Sequence, residues 1–411
     1  MLKERYISSR ADFMKLCAEL AGFSRLGLDT EFIGDKSFHP QLCLVQVATE
    51  EGLYLIDPLG VGPLDPFWDV IADARREIVV HAGREEARLC HRLFGRPIGR
   101  LFDLQLAAGF LGYGYPISYG DLLKSLLGVT LCKSERLTDW RRRPLTAEQV
   151  RYAYNDVRYL LTSHQQLKQR LEELGRLAWL EEEFQRLATC SEKEEASAAE
   201  KWRKLPGVAS LNRRQLAIVR ELYHWRQSTA RRLNCPPKHL CRDDLLVHVA
   251  TRNPRSEDDL KSVRGLPWEH LRHILEAVEK ARTLPMEALP DAAPRKQRNQ
   301  EVDLLTGVLT AVVHEISNRL QIAPQLVATN ADLRSLIREC LFGETVRPTR
   351  LDAGWRKEHV RGVLVEILTG KAALRFGRDG LSGRAILDVL DCKSLKNARK
   401  VEKSEPPPAN S

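Results

Sequence analysis

Over the first 190 residues, short apolar runs alternate with stretches of helical spacing. Residues 25–33, 41–47, 52–56 and 77–81 are compact, rich in Val, Ile and Leu, and bounded by polar positions, which is the pattern of strands. Apolar positions three and four apart predict helices over 85–94, 104–110, 119–127 and 147–173. The last opens on a capping signal, Pro144 followed by Thr146 with Gln149 three residues later. Asp103, just ahead of 104–110, reads as a helix cap. Strands first and mixed helices afterwards predict an α/β layer with a mixed sheet over residues 1–190.

Beyond a Glu/Lys/Ala/Ser-rich linker at 191–210, the pattern turns almost wholly helical. Leu216, Val219, Leu222 and Tyr223 form one apolar stripe, and Pro236–Pro237 stop that helix. Helices are expected over 242–251, 257–263 and 268–283, with a turn at Gly265–Leu266–Pro267, giving a helical domain over 211–285. A second linker at 286–299 holds prolines and a basic cluster. Residues 301–343 and 358–374 read as a further helical module within 300–376, and the basic, proline-containing tail 393–411 as disordered.

Charge divides the chain unevenly. Residues 1–190 hold 25 Lys and Arg against 26 Asp and Glu, and residues 191–411 hold 39 against 29, so the formal net charge of +9 lies entirely in the second part. Residues 201–240 alone carry ten basic side chains and one acidic, interleaved with Trp202, Tyr223, His224 and Trp225. Such a field attracts a polyanion. No apolar run approaches the roughly 20 residues a bilayer-spanning helix needs. The first 20 residues lack the apolar core and cleavage site of a secretory signal. Nine cysteines, an odd number with no CxxC pair, fit a reducing compartment. A cytoplasmic monomer without membrane partners is the expectation.

The candidate chemistry comes in three pieces. Asp29 and Glu31 stand two apart on an apolar strand, so both carboxylates project from one side. Two acids packed together repel each other and are costly to desolvate, and a divalent cation relieves both problems. Tyr152 and Asp156 stand four apart on a helix and share a face. His81-Ala-Gly-Arg-Glu-Glu86 leads from a strand end into a helix. Cys235, His239 and Cys241 lack a fourth ligand at zinc spacing.

Together these pieces resemble the DEDD superfamily of 3′–5′ exonucleases, and ribonuclease D in particular. Asp29-Thr-Glu31 matches the first motif, and Tyr152 with Asp156 matches the Tyr-x-x-x-Asp of the third. Phe38-His-Pro-Gln-Leu-Cys-Leu-Val-Gln46, His81-Ala-Gly83 and Leu137-Thr-Asp-Trp-Arg-Arg-Arg-Pro-Leu-Thr146 also look like that family. Arg151 stands where the sister class has His. One departure is Glu86, where the second motif has Asp five residues after the His; Glu85 is the neighbouring alternative, and register favours Glu86. The resemblance implies a ribonuclease H-like mixed sheet flanked by helices and a pair of Mg²⁺ or Mn²⁺ ions. Asp29 would bridge both ions, Glu31 and Asp156 would complete the first, and Glu86 would support the second. Tyr152 would orient the attacking water. Phe32, His81, Tyr113 and Tyr115 are candidates to grip the substrate, with Phe38 and Tyr119 as further stacking candidates.

Residues 211–285 resemble an HRDC domain, through Leu222-Tyr-His-Trp-Arg226, Ala230, Pro237, Asp243-Asp-Leu245, Asn253-Pro254 and Leu260 to Gly265. A more divergent HRDC-like copy, marked by Gly354-Trp-Arg356, fits 300–376, so the part after residue 190 is expected to be all-α. The implied activity is release of nucleoside 5′-monophosphates from RNA with a single-stranded 3′ end, tRNA precursors among them. The alternatives are a single-stranded DNA exonuclease and an RNA-binding protein weakened in catalysis by Glu86.

Overall fold

A computed structural model describes residues 2–34, 36–131, 138–188, 198–292, 299–378 and 385–391. Leu137, parts of both linkers and the 393–411 tail lie outside the described residues. The chain divides into two compact units interleaved along the sequence. One comprises 1–101, 133–161 and 186–297; the other comprises 102–132, 162–185 and 298–411.

A six-stranded mixed sheet is built from β1 (Lys3–Ile7), β2 (Arg25–Ile33), β3 (Gln41–Ala48), β4 (Gly52–Ile56), β5 (Glu77–Val80) and β6 (Arg100–Asp103), in the order β1-β4-β3-β2-β5-β6. β1 runs parallel to β4 and β2 parallel to β5, while β3 is antiparallel to both its neighbours. The helices between and after the strands are α1 (Arg10–Leu20), α2 (Pro58–Val61), α3 (Asp65–Ile71), α4 (Arg84–Phe94), α5 (Leu104–Gly109), α6 (Tyr119–Leu127), α7 (Ala147–Arg158), α8 (Leu160–Glu173) and α9 (Leu177–Ala188).

One finding differs from the sequence pattern here. The single helix expected over 147–173 is two, broken at Tyr159, whose φ of −108° and ψ of 3° leave the helical region. No Gly or Pro marks that break. The capping box at its start is present: Thr146 and Gln149 exchange side-chain and backbone bonds.

Alternation along β2 sorts its side chains. Leu26 and Leu28 point into a core shared with Phe13, Leu16, Phe67 and Ile71. Gly27, Asp29 and Glu31 therefore occupy the other face.

Within the same unit, α10 (Arg213–Arg232), α11 (Pro237–Leu240), α12 (Asp243–Arg252), α13 (Glu257–Lys261) and α14 (Leu271–Thr283) form a helical bundle with its own core. The expected stripe of Leu216, Val219, Leu222 and Tyr223 is buried in it. Gly265, at φ +93°, makes the turn that an L side chain resists.

The second unit centres on Trp355 and Arg356. Trp355 stacks on Trp179 at 5.0 Å, and buried Arg356 binds Glu183 and the Leu326 carbonyl. Helix expected over 358–374 stops at Leu368, with Gly370 at φ +71°. A hairpin follows, β7 (Ala372–Arg378) against β8 (Ala385–Asp391). The expectation of an all-α second part is corrected to that extent. Ala-Ile-Leu-Asp-Val-Leu-Asp is apolar and β-branched enough to pair as a strand once a partner lies alongside.

Candidate active site

The acidic strand takes its geometry from its pairing. Asp29 lies opposite Gln46 and Glu31 opposite Leu44. The register slips between Glu31 and Phe32, where Phe32 pairs Leu42 and Cys43 is left over as a bulge. The freed Cys43 carbonyl accepts from Arg143 Nη2 at 2.8 Å. Arg143 also grips Asp57 with two nitrogens, at 2.6 and 2.7 Å. Burial pushes the Asp57 carboxyl up, but hydrogen bonds from Arg143 and Tyr6 outweigh it and hold the group below its usual range. One guanidinium thus fastens the start of the α7 segment to the ends of β3 and β4.

The other end of α7 is fastened near the opposite rim of the sheet. Arg158 donates to Glu4 at 2.6 Å, and a Cβ on Gly27 would lie 3.2 Å from Leu160 Cδ1. α7 therefore runs antiparallel to β2 across the face that bears Gly27, Asp29 and Glu31. Tyr152 and Asp156 stand four apart on α7, and so on one face of the helix that packs against β2. The Tyr152 ring is braced by Trp140, 6.0 Å away between centroids.

Glu86 arrives from the other side of β2. Val80 ends β5, and His81-Ala82-Gly83 turns the chain into α4. Ala82 is held at φ +60°, a strained conformation for an L residue. Gly83 has no alternative, since a Cβ there would sit 2.1 Å from Val80 Cγ2. The turn folds Glu86 inward, 7% exposed, where Oε1 accepts from the Thr30 hydroxyl at 3.0 Å. Glu85 points outward to Arg88.

The electrostatics follow from this crowding. Burial first, and then the Glu31 charge, raise Asp29 to about 7 despite the Thr30 N–H that its carboxylate accepts. Burial and then Glu86 raise Glu31 to about 7. These are hard oxygen donors that repel one another, the donor set that a Mg²⁺-like ion neutralises. Among the described residues, no three His, Cys, Asp or Glu side chains close a cage around an ion.

Seven of the nine sequence candidates, Asp29, Glu31, Phe32, His81, Glu86, Tyr152 and Asp156, fall in the first unit. Phe32 follows Glu31 at the bulge and His81 follows the end of β5, both half-buried. Tyr113 and Tyr115 belong to the second unit, where Arg170 holds the Tyr113 hydroxyl and Tyr115 packs on Gly109. Asp103 caps α5 as expected, accepting from the N–H groups of Gln105 and Leu106. Sequence reasoning passed over Thr30, Arg143 and Gln46. Gln46 is fully buried beside Asp29, and its amide meets no protein partner among the described residues. The signal was available for Gln46 alone, as a polar residue inside an apolar run.

Comparison with known proteins bears on the family of the chain. Residues 5–172 match the 3′–5′ exonuclease family and residues 215–278 the HRDC domain. The chain is 31% identical over 373 residues to ribonuclease D of Bartonella henselae, covering 89% of this chain and 90% of that protein. It is 33% identical over 371 residues to ribonuclease D of Pseudomonas paraeruginosa, covering 89% and 97%. The chain belongs to the ribonuclease D family. It is accordingly a 3′–5′ exoribonuclease, of a fold type that works with metal ions. The crystal structure of Escherichia coli RNase D superimposes with a TM-score of 0.80 at 29% identity, covering 90% of this chain and 99% of that one. No helix of the described residues is long and apolar enough to cross a membrane.

Proposed function

We propose that this ribonuclease D hydrolyses RNA from a single-stranded 3′ end, releases nucleoside 5′-monophosphates, and trims structured RNAs such as tRNA precursors. The E. coli relative is described as an exoribonuclease involved in structured RNA processing. What supports the reading is the buried, mutually repelling set Asp29, Glu31 and Glu86, together with α7, which carries Tyr152 and Asp156 and packs against β2.

Asp29, Glu31 and Asp156, with Glu86 behind them, would hold one or two Mg²⁺ or Mn²⁺ ions. When bound, such ions stabilise charge on the attacking and leaving oxygens and ease deprotonation of water. Tyr152 orients the water whose oxygen joins phosphorus as the bond to the 3′-oxygen breaks. The proton lost by water ends on that leaving oxygen, through solvent. Trp140 and Thr146 keep Tyr152 in place by fixing the first turns of α7. The basic second half holds the body of the RNA, and the enzyme acts as a monomer in the cytoplasm.

The Glu86 bond to Thr30 favours an active site over a decayed one, because the longer side chain is folded in and hydrogen-bonded rather than turned to solvent. The test is a time course with 5′-labelled RNA carrying a 3′ extension. Stepwise shortening with Mg²⁺ or Mn²⁺, arrest by chelator and 5′-monophosphate products are expected. Equal cleavage of matched single-stranded DNA would move the assignment to the DNA reading, and no cleavage with either metal would refute it.

A further inference from the structure

The connection from β2 to β3, residues 34–40, leaves the strand that carries Asp29 and Glu31 and meets the HRDC bundle of the same unit. The Phe38 N–H donates to Asn234 Oδ1 at 3.3 Å, and the Arg231 guanidinium lies 5.4 Å from the Phe38 ring centroid. The His39 ring meets Phe38 edge-on at 4.7 Å. Arg92 comes from the last turn of α4, the helix whose first turn carries Glu86. Its charge and that of Arg231 both reach His39, whose pKa is lowered first by burial and then by these two cations.

Arg231 and His39, remote in sequence, therefore meet at one aromatic ring, and the charge of Arg92 reaches His39 from a third element. Arg92, Arg231 and His39 are exposed. Neither guanidinium has a carboxylate at ion-pair distance among the described residues; Glu85 acts on Arg92 only at longer range. Asp35, the one acid of the connection, lies outside those residues. Collecting like charges opposes folding, and a bound anion reverses the balance. Two rulers set the position. Glu31 to Gly34 spans about 10 Å along β2, and Glu86 to Arg92 about 9 Å along α4. The cluster starts one short step from the carboxylates.

We propose that Arg231, Arg92, His39 and Phe38 form a composite site for the phosphodiester backbone of single-stranded RNA, just upstream of the bond the carboxylates cut. This rests on the exoribonuclease reading and adds to it. The HRDC domain supplies part of the catalytic mouth, in addition to any hold on the body of the RNA. Guanidinium forks suit phosphate oxygens, and the Phe38 ring offers a stacking surface for a base.

The test is equilibrium binding of a fluorescent single-stranded oligoribonucleotide to the full chain carrying Asp29→Asn, in chelator, across a salt series. Arg231→Glu should weaken binding about tenfold and lower the slope of log affinity against log salt by about one. Arg92→Glu should do the same, and Arg231→Lys should keep the slope. Arg264→Glu, an exposed HRDC cation on the Gly265 turn, should leave both quantities unchanged. A dinucleotide, too short to span from the carboxylates to the cluster, should be held equally by all variants. The proposal is overturned if Arg231→Glu and Arg92→Glu bind like the parent. It also falls if Arg264→Glu costs as much, or if Arg231→Lys loses as much as Arg231→Glu, since packing on Phe38 would then be the cause. Because nothing is cleaved in this assay, failure of the nuclease reading appears separately, as inactivity of the unmutated chain.

Discussion

Thr30 donates its hydroxyl to Glu86 Oε1 at 3.0 Å, tying the first turn of α4 to the strand that carries both Asp29 and Glu31. Thr30 points to the opposite face of β2 from those two acids, so this bond anchors the Glu86 carboxylate beside the strand. An Asp at position 86 is one methylene shorter and would reach the Thr30 hydroxyl less well. Glu86→Asp is therefore expected to lower kcat/KM several-fold rather than raise it. Glu86→Gln keeps the hydrogen-bonding capacity but loses the charge, and should lower it more. Thr30→Val should cost about 1–3 kcal/mol in denaturant unfolding by leaving a buried carboxylate short of a donor. A sharp rise in rate for Glu86→Asp would show that the longer side chain is a defect.

The turn that delivers Glu86 depends on Gly83. A methyl group there would overlap Val80, a stiff β-branched side chain at the end of a buried strand. Gly83→Ala should destabilise the protein by about 1–3 kcal/mol. It should also reduce activity beyond that loss of folded protein, because Glu86 is displaced. Urea titration together with kcat measured on the folded fraction separates the two effects.

Arg143 is the clamp that orients α7. Arg143→Lys keeps one charge but cannot satisfy Asp57 with two nitrogens and the Cys43 and Trp140 carbonyls together. A stability loss of about 2 kcal/mol is expected, tempered by the partial exposure of Arg143. Because Tyr152 and Asp156 ride on α7, kcat should fall while KM for RNA stays near the parent value. An unchanged kcat would show that α7 is held without this clamp.

Stability without metal should depend on pH in a defined direction. Asp29 and Glu31 bind their protons more tightly folded, at about 7, than at their ordinary values of 3.8 and 4.5. Between those limits the folded state carries more protons than the unfolded chain, so stability falls as pH rises from about 4 to about 7. Asp57 has the opposite sign, since its folded pKa is lowered, and its contribution is lost only below its ordinary value. In chelator, Asp29→Asn should flatten the decline in Tm across the higher window. Added Mg²⁺ should raise the Tm of the parent more at about pH 8 than at about pH 5. Equal increments at both values would count against a metal held by these acids.

Much of this architecture was legible because its determinants are local. The period-2 spacing of Asp29 and Glu31, and the period-3.6 spacing of Tyr152 and Asp156, each fix a shared face without any knowledge of the partner. The capping box at Thr146 is equally local. β1, Lys-Glu-Arg-Tyr-Ile, was missed because an edge strand need not be apolar, and β6 because four residues carry too little pattern. The break at Tyr159 has no sequence punctuation. The expected helix ran into the first residues of β7, to 374, because that strand has no β-branched residue and follows a helix closely, and the rest of the hairpin went unmarked. The roles of Thr30, Arg143 and the Phe38–Asn234 contact were invisible for another reason. Each joins residues far apart in the chain, 196 positions in the last case, and no local spacing encodes such a meeting.

The central claim is that one pocket built on Asp29 and Asp156 hydrolyses RNA from its 3′ end. Single-turnover cleavage of a labelled RNA, measured beside its binding affinity, tests it most directly. Asp29→Asn and Asp156→Asn should each slow cleavage by about a thousandfold or more while the RNA is still bound. Cleavage at the parental rate by either variant would contradict the account.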